Sequence, residues 1–193
     1  MAETDSRTSG RFLRCRAETR ALAREAEILS RIAVYMGCHI GHSDGRLFSF
    51  AESCTGGLVA SLAASVPGAS ASFPGSAVTY SDRAKIEKLS VNPRIIAKYG
   101  AVSGQCAAGM ARGTLGAFGV RIAVSVTGIA GPDGGSPEKP VGTVWFGLAL
   151  TDRPVRVVKG FYPSRPRKTV QLCAARTALR LLIRGLCEMR GCI

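Results

Sequence analysis

Histidine is scarce: the 193 residues contain two, His39 and His42. Metal centres of the histidine type need three or four ligands at suitable spacing, and no third ligand accompanies this pair. Cys15, Cys38, Cys54, Cys106, Cys173, Cys187 and Cys192 are odd in number and include no CxxC pair. That excludes the regular patterns of zinc sites and disulfide scaffolds and suits buried small hydrophobes. No metal and no cofactor are expected. Aromatics make up only 6%, and no helix-turn-helix or RNA-binding signature occurs, so no nucleic-acid partner is expected. No apolar run reaches membrane-spanning length, and no signal peptide opens the chain. The expected compartment is the cytoplasm, with no membrane partner.

Acids are in deficit as well, with 13 Asp and Glu against 26 Lys and Arg, a net charge of +13. The imbalance is concentrated in residues 153–190, where ten Lys/Arg face one acid, Glu188. Such a surface attracts phosphate groups. With 46% apolar and 20% charged residues, the chain has the composition of one globular domain rather than a disordered polymer.

Residues 1–17 are polar and aperiodic and read as a disordered leader, leaving 18–193 as a single domain. From about Glu18 to Met36, Leu22, Ala26, Leu29, Ala33 and Met36 recur at helical spacing, with Gly37 as the stop. A turn is expected at 41–45. Strands are expected at 46–51, 77–81 and 121–126. A hairpin follows from 142–151 and 154–162. Helices are expected after Gly57, from Asp82, from Pro93, from Ser103 and over 167–187. In the last of these, Val170, Cys173, Ala174, Thr177, Ala178, Leu181 and Leu182 form an apolar stripe. Arg176, Arg180 and Arg184 flank it, either as a solvated edge or as a contact between subunits of a homo-oligomer. This succession gives an α/β fold, a three-layer α/β/α sandwich around a mixed sheet.

In open α/β sheets, ligands sit at the carboxyl ends of strands, so three loops compete for attention. The first, Glu52-Ser53-Cys54-Thr55-Gly56-Gly57, joins a strand to a helix whose free N–H groups suit a phosphate. An ordinary capped helix start reads equally well. The second, Thr127-Gly128-Ile129-Ala130-Gly131-Pro132-Asp133-Gly134-Gly135, is a Gly-rich loop of the kind that aims backbone N–H groups at an anion. It matches neither the phosphate-binding loop ending in Gly-Lys-Ser/Thr nor GxGxxG. The third, 67–85, offers Ser70 and Ser72 in a loop, Tyr80 at a strand end and Lys85 in a first helical turn. Serine needs a base, and a lysine kept neutral by burial can serve. Lys88 fits the spacing almost as well as Lys85.

Glu52 to Gly57, Tyr80-Ser81 with Ala84-Lys85, Gly100-Ala101-Val102-Ser103, Thr127 to Gly135 and Glu138-Lys139-Pro140-Val141-Gly142-Thr143-Val144 occur in the order of one family. Over roughly residues 20–187 the chain resembles the C-terminal domain of competence/damage-inducible protein A. The resemblance implies a nicotinamide-mononucleotide amidohydrolase of pyridine nucleotide salvage, acting by a Ser/Lys mechanism on a small nucleotide substrate. It carries the nucleophile to Ser70, the base to Lys85 and a supporting site role to Tyr80. The implied substrate-binding set is Ser53, Thr55, Gly56, Thr127, Gly128, Ala130, Gly131 and Arg165. Ala69 stands where the family usually has serine, and Asp82-Arg83 where Asn-Glu is common. Two other readings stand beside it: an amidase using Cys54, and a nucleotide-binding regulatory module without turnover.

Overall fold

The computed structural model describes residues 3–40 and 46–190, the first of these by backbone alone as far as residue 15. The turn expected at 41–45, His42 and Cys192 lie outside the described residues. Three strands are nearly or fully buried: β1 (Phe48–Glu52), β3 (Ile122–Gly128) and β4 (Thr143–Leu150). They are mostly apolar, with Ser49, Glu52, Ser125, Thr127 and Thr143 the buried polar exceptions, because helices cover both faces. β2 (Ser76–Val78) and β5 (Arg156–Phe161) close the sheet in the order β2-β1-β3-β4-β5. β1 runs parallel to β2 and β3, whereas β3-β4 and β4-β5 are antiparallel, so the sheet is mixed as expected.

α1 (Glu3–Ile40), α2 (Leu58–Ala64) and α6 (Arg167–Met189) pack together on one face of the sheet. α3 (Asp82–Leu89), α4 (Pro93–Tyr99) and α5 (Gly104–Phe118) form the other layer. Local chemistry sets most of these starts. Ser103 accepts a hydrogen bond from the Cys106 N–H, and Pro93 opens α4 behind an Asn92 cap. The α3 cap is Ser81 rather than Asp82, which instead occupies the first turn.

Two features of α1 depart from expectation. The helix begins at Glu3, within the segment read as a disordered leader. No proline interrupts the first 40 residues, and tertiary contacts anchor the helix to α6. Glu18 pairs with Arg165, Thr19 with Thr169, and Glu25 with both Arg176 and Arg180. Those last two arginines, together with Arg184 on Glu188, therefore serve contacts within the chain. Gly37 does not end the helix either. It is buried against the 69–72 turn, where a Cβ would lie 2.8 Å from Ser72 Oγ, so the missing side chain permits a close approach.

A second close approach holds α3 to α5. A Cβ at Gly113 would stand 1.8 Å from the Leu89 carbonyl oxygen, a backbone atom at the end of α3. Gly113→Ala must push the two helices apart and is expected to cost about 3 kcal/mol, the upper range for overpacking. A urea unfolding midpoint unchanged by the substitution would show that the layer is plastic here. α3 also carries Lys85, so the same variant should lose activity.

Candidate active site

The carboxyl ends of β1, β2 and β3 meet at a cleft of about 240 Å³. Ser53 and Cys54 line it from the end of β1, Tyr80 from beyond β2, and Thr127 to Gly131 from the end of β3 and the following loop. Lys85 and Arg167 bring positive charge to it, and Asp133 a carboxylate. Ala101 and Val102, between α4 and α5, complete one wall.

Among the described residues Lys85 is the only lysine in the set of large, fully buried side chains, at 1% exposure. Its Nζ lies 3.2 Å from Ser53 Oγ, 2.9 Å from the Thr79 carbonyl oxygen and 3.1 Å from that of Tyr80. Among the described residues no carboxylate pairs with it. Burial disfavours the ammonium form and moves the pKa below the ordinary value; the charges of Cys106 and Asp82 oppose this only in part. A neutral amine has two N–H donors and one lone pair. Two carbonyls and one hydroxyl surround Nζ, a set that the neutral amine satisfies by donating its N–H groups to the carbonyls and accepting from the Ser53 hydroxyl, and that the ammonium satisfies by donating to all three.

Ser53 is held as firmly. Its N–H donates to the Val126 carbonyl at 2.9 Å, which fastens the turn to β3. Glu52, buried completely, points beneath it and accepts from the N–H groups of Gly57, Val59 and Ala60 at 2.8–3.1 Å. The start of α2 is thus occupied by a carboxylate of the chain itself. This corrects the expectation that Thr55 and Gly56 offer that helix end to a phosphate: a resident anion already uses the dipole, and neither residue lines the cleft.

Ser70 also requires correction. It lies exposed in a single 3₁₀ turn (Ala69–Ala71), next to Ser72. The Ser72 carbonyl accepts from the N–H groups of Leu47 and Phe48, at the amino end of β1. Ser53 follows the carboxyl end of the same strand. At about 3.3 Å per residue the two serines are separated by a strand length, on the order of 15 Å. The serine brought to Lys85 is Ser53, which the sequence reading had placed in the binding set.

Thr127, Gly128, Ala130 and Gly131 do line the cleft, with Thr127 fixed through its hydroxyl to the Ala101 carbonyl. Tyr80 lines it too, its hydroxyl accepting from Arg167 at 3.0 Å. Arg165 does not. It faces away onto Glu18 of α1, and Arg167 takes the place expected for it, donating also to the Gly131 carbonyl at 2.6 Å. Pro166 was the available signal. A residue before proline is driven to extended backbone, whereas Arg167 starts a helix whose side chains lean toward its amino end. Cys54 borders the cleft, but burial pushes its thiol up to about 12. Among the described residues no group of three or more His, Cys, Asp and Glu is arranged to hold a metal ion, and no helix is long and apolar enough to cross a membrane.

The CinA C-terminal domain family matches residues 39–186, most of the chain and all of the cleft. The chain belongs to that family. A relative from Enterobacter agglomerans, named nicotinamide-nucleotide amidohydrolase PncC, is 48% identical over 161 residues, covering 81% of this chain and 97% of that protein. A CinA-like protein of Dictyoglomus thermophilum is also 48% identical, but this chain spans only 34% of its length. Among solved CinA-type structures, the competence/damage-inducible protein CihA from Agrobacterium tumefaciens superposes with a TM-score of 0.79 at 39% identity, covering 83% of this chain and 94% of that one.

Proposed function

We propose that this CinA-family chain is a cytoplasmic amidohydrolase that converts nicotinamide mononucleotide to nicotinic acid mononucleotide and ammonia, with Ser53 as nucleophile and Lys85 as base. The observation that carries the reading is the Lys85 amine, buried, without a carboxylate partner among the described residues and 3.2 Å from Ser53 Oγ. The name of the Enterobacter relative supports the substrate.

In this scheme neutral Lys85 takes the Ser53 hydroxyl proton as Oγ attacks the carboxamide carbon. The tetrahedral oxyanion is met by backbone N–H groups of the turn after β1. The new lysine ammonium returns its proton to the departing nitrogen, and ammonia leaves. Water, deprotonated by the same amine, then opens the Ser53 ester and releases the acid. Each step uses Ser53, Lys85 and water. Cys54 suits the nucleophile role less well, because a thiol titrating at about 12 is almost wholly protonated near neutrality.

The test is ammonia release from nicotinamide, its riboside and its mononucleotide. The protein is expected to turn over the mononucleotide; a chain that binds it without releasing ammonia is a regulatory module instead. The rate should also report the base. Lys85 works deprotonated, so kcat/KM is expected to rise with pH and to level off above the Lys85 pKa, which lies below the ordinary lysine value. A profile flat across that range, with chemistry rate-limiting, removes Lys85 from the role.

A further inference from the structure

α6 reaches the cleft twice. Arg167, in its first turn, lines the cavity. Gln171, four residues on and hence on the same helix face, is half-buried, and its Nε2 donates to the Cys54 carbonyl at 3.0 Å. The bond joins residues 117 apart in sequence and lands on the Cys54–Thr55 peptide, one residue beyond the nucleophile. Within that turn the Gly56 N–H bonds the Ser53 carbonyl and the Leu58 N–H bonds the Thr55 carbonyl. The carbonyl between them, that of Cys54, is held by Gln171.

A trans peptide points its C=O and N–H in opposite directions within one rigid plane. Holding the Cys54 carbonyl toward α6 therefore turns the Thr55 N–H away from α6. That direction leads to the layer opposite α6, which carries Lys85 on α3. Among the described residues the Thr55 N–H donates to no acceptor. Thr55 is buried and is not itself part of the cleft wall, but it directly follows Ser53 and Cys54, which are, so its N–H is the donor this turn leaves for an oxyanion forming on Ser53.

We propose that Gln171 is a positioning residue for the nucleophilic turn: its side-chain amide fixes the Cys54–Thr55 peptide plane, keeping the Thr55 N–H aimed at the oxyanion and Ser53 Oγ on Lys85. The proposal rests on the reading of Ser53 as nucleophile. Gln171 touches no substrate atom in this role. It removes turn orientations in which the donor points elsewhere, and misplacing such groups by about 1 Å costs on the order of 100-fold in rate.

Gln171→Met keeps length and removes the donor, whereas Gln171→Lys returns an N–H donor at similar reach. Both are compared with wild type on the high-pH plateau for kcat and KM with nicotinamide mononucleotide, and for the pH midpoint of kcat/KM. A third readout is the rate of Ser53 sulfonylation by a small sulfonyl fluoride. In that reaction the Ser53 Oγ–S bond forms, fluoride leaves and Lys85 takes the hydroxyl proton. For Gln171→Met, kcat and the sulfonylation rate are expected to fall about 10- to 100-fold, with KM within about twofold and the pH midpoint unmoved; Gln171→Lys should recover most of the loss. A folded Met variant with wild-type kcat overturns the proposal. So does a defect confined to KM, or a Lys variant that folds but recovers nothing. If the wild type releases no ammonia, the substrate reading falls, and the sulfonylation rates still decide the role of Gln171. A wild type left unlabelled at Ser53 overturns both.

Discussion

Ser53→Ala is expected to lower turnover by about 10⁴-fold, the scale on which hydrolases respond to loss of the nucleophile, while Ser70→Ala leaves it within about twofold of wild type, as expected of an exposed turn serine. Ser70 is the serine to which the family pattern first pointed, and it sits at the wrong end of β1 to reach Lys85. Ser53 is 3.2 Å from that amine. Lys85→Met should be as damaging as Ser53→Ala, because a serine without its base is a weak nucleophile. The two substitutions together should be little worse than either alone, since groups acting as a unit do not add. The measurement is kcat for ammonia release, with circular dichroism to show that each variant folds. An inactive Ser70→Ala beside an active Ser53→Ala would require the nucleophile to be reassigned.

Arg167→Ala is expected to lower kcat/KM for the mononucleotide about 100-fold and for the riboside less than about tenfold, taking 1.5–3 kcal/mol for each charge-assisted hydrogen bond to phosphate. Arg167 donates to the Gly131 carbonyl and the Tyr80 hydroxyl. Neither partner carries charge, so the guanidinium brings its full positive charge to the cleft. Arg165 spends its charge on Glu18 of α1. Arg165→Ala should consequently leave substrate preference as it is. The Thr127 to Gly131 loop adds backbone groups on the same side, so the wild type should prefer the mononucleotide to free nicotinamide by orders of magnitude. Equal kcat/KM on these two substrates would remove the phosphate site altogether. Equal losses on riboside and mononucleotide in Arg167→Ala would leave the site but take Arg167 out of it.

What the sequence carried by itself was local. Apolar runs bounded by Gly and Pro placed the five strands to within about three residues. The 3.6-residue period marked the buried stripe of α6, and Ser103 and Pro93 marked helix starts, because caps and periods act over one or two turns. The loop from Thr127 to Gly131 was legible for the same reason, whereas spacing left Lys85 and Lys88 nearly level and only the family resemblance chose Lys85. The family resemblance then named a serine and an arginine that their own surroundings did not single out.

Those two residues, and the use of the α2 start, were decided by tertiary structure. Ser53 and Ser70 both follow or precede small residues in short turns, and nothing local distinguishes them. The parallel pairing of β1 with β2, and the bond from the Ser72 carbonyl to the start of β1, send Ser70 to one end of the sheet and leave Ser53 at the other. The free N–H groups at the start of α2 looked open to a substrate phosphate until Glu52, brought under them by the end of β1, filled them. Arg165 and Arg167 differ by two positions, yet one turns to α1 and the other to the cleft, because Pro166 separates extended chain from helix. The first helix could not be delimited from its own residues, since its pairing partners, Arg165, Arg176 and Arg180, lie some 150 positions away. Charge, burial and reach act through space, so they become readable only when the sheet has set which ends of its strands lie together.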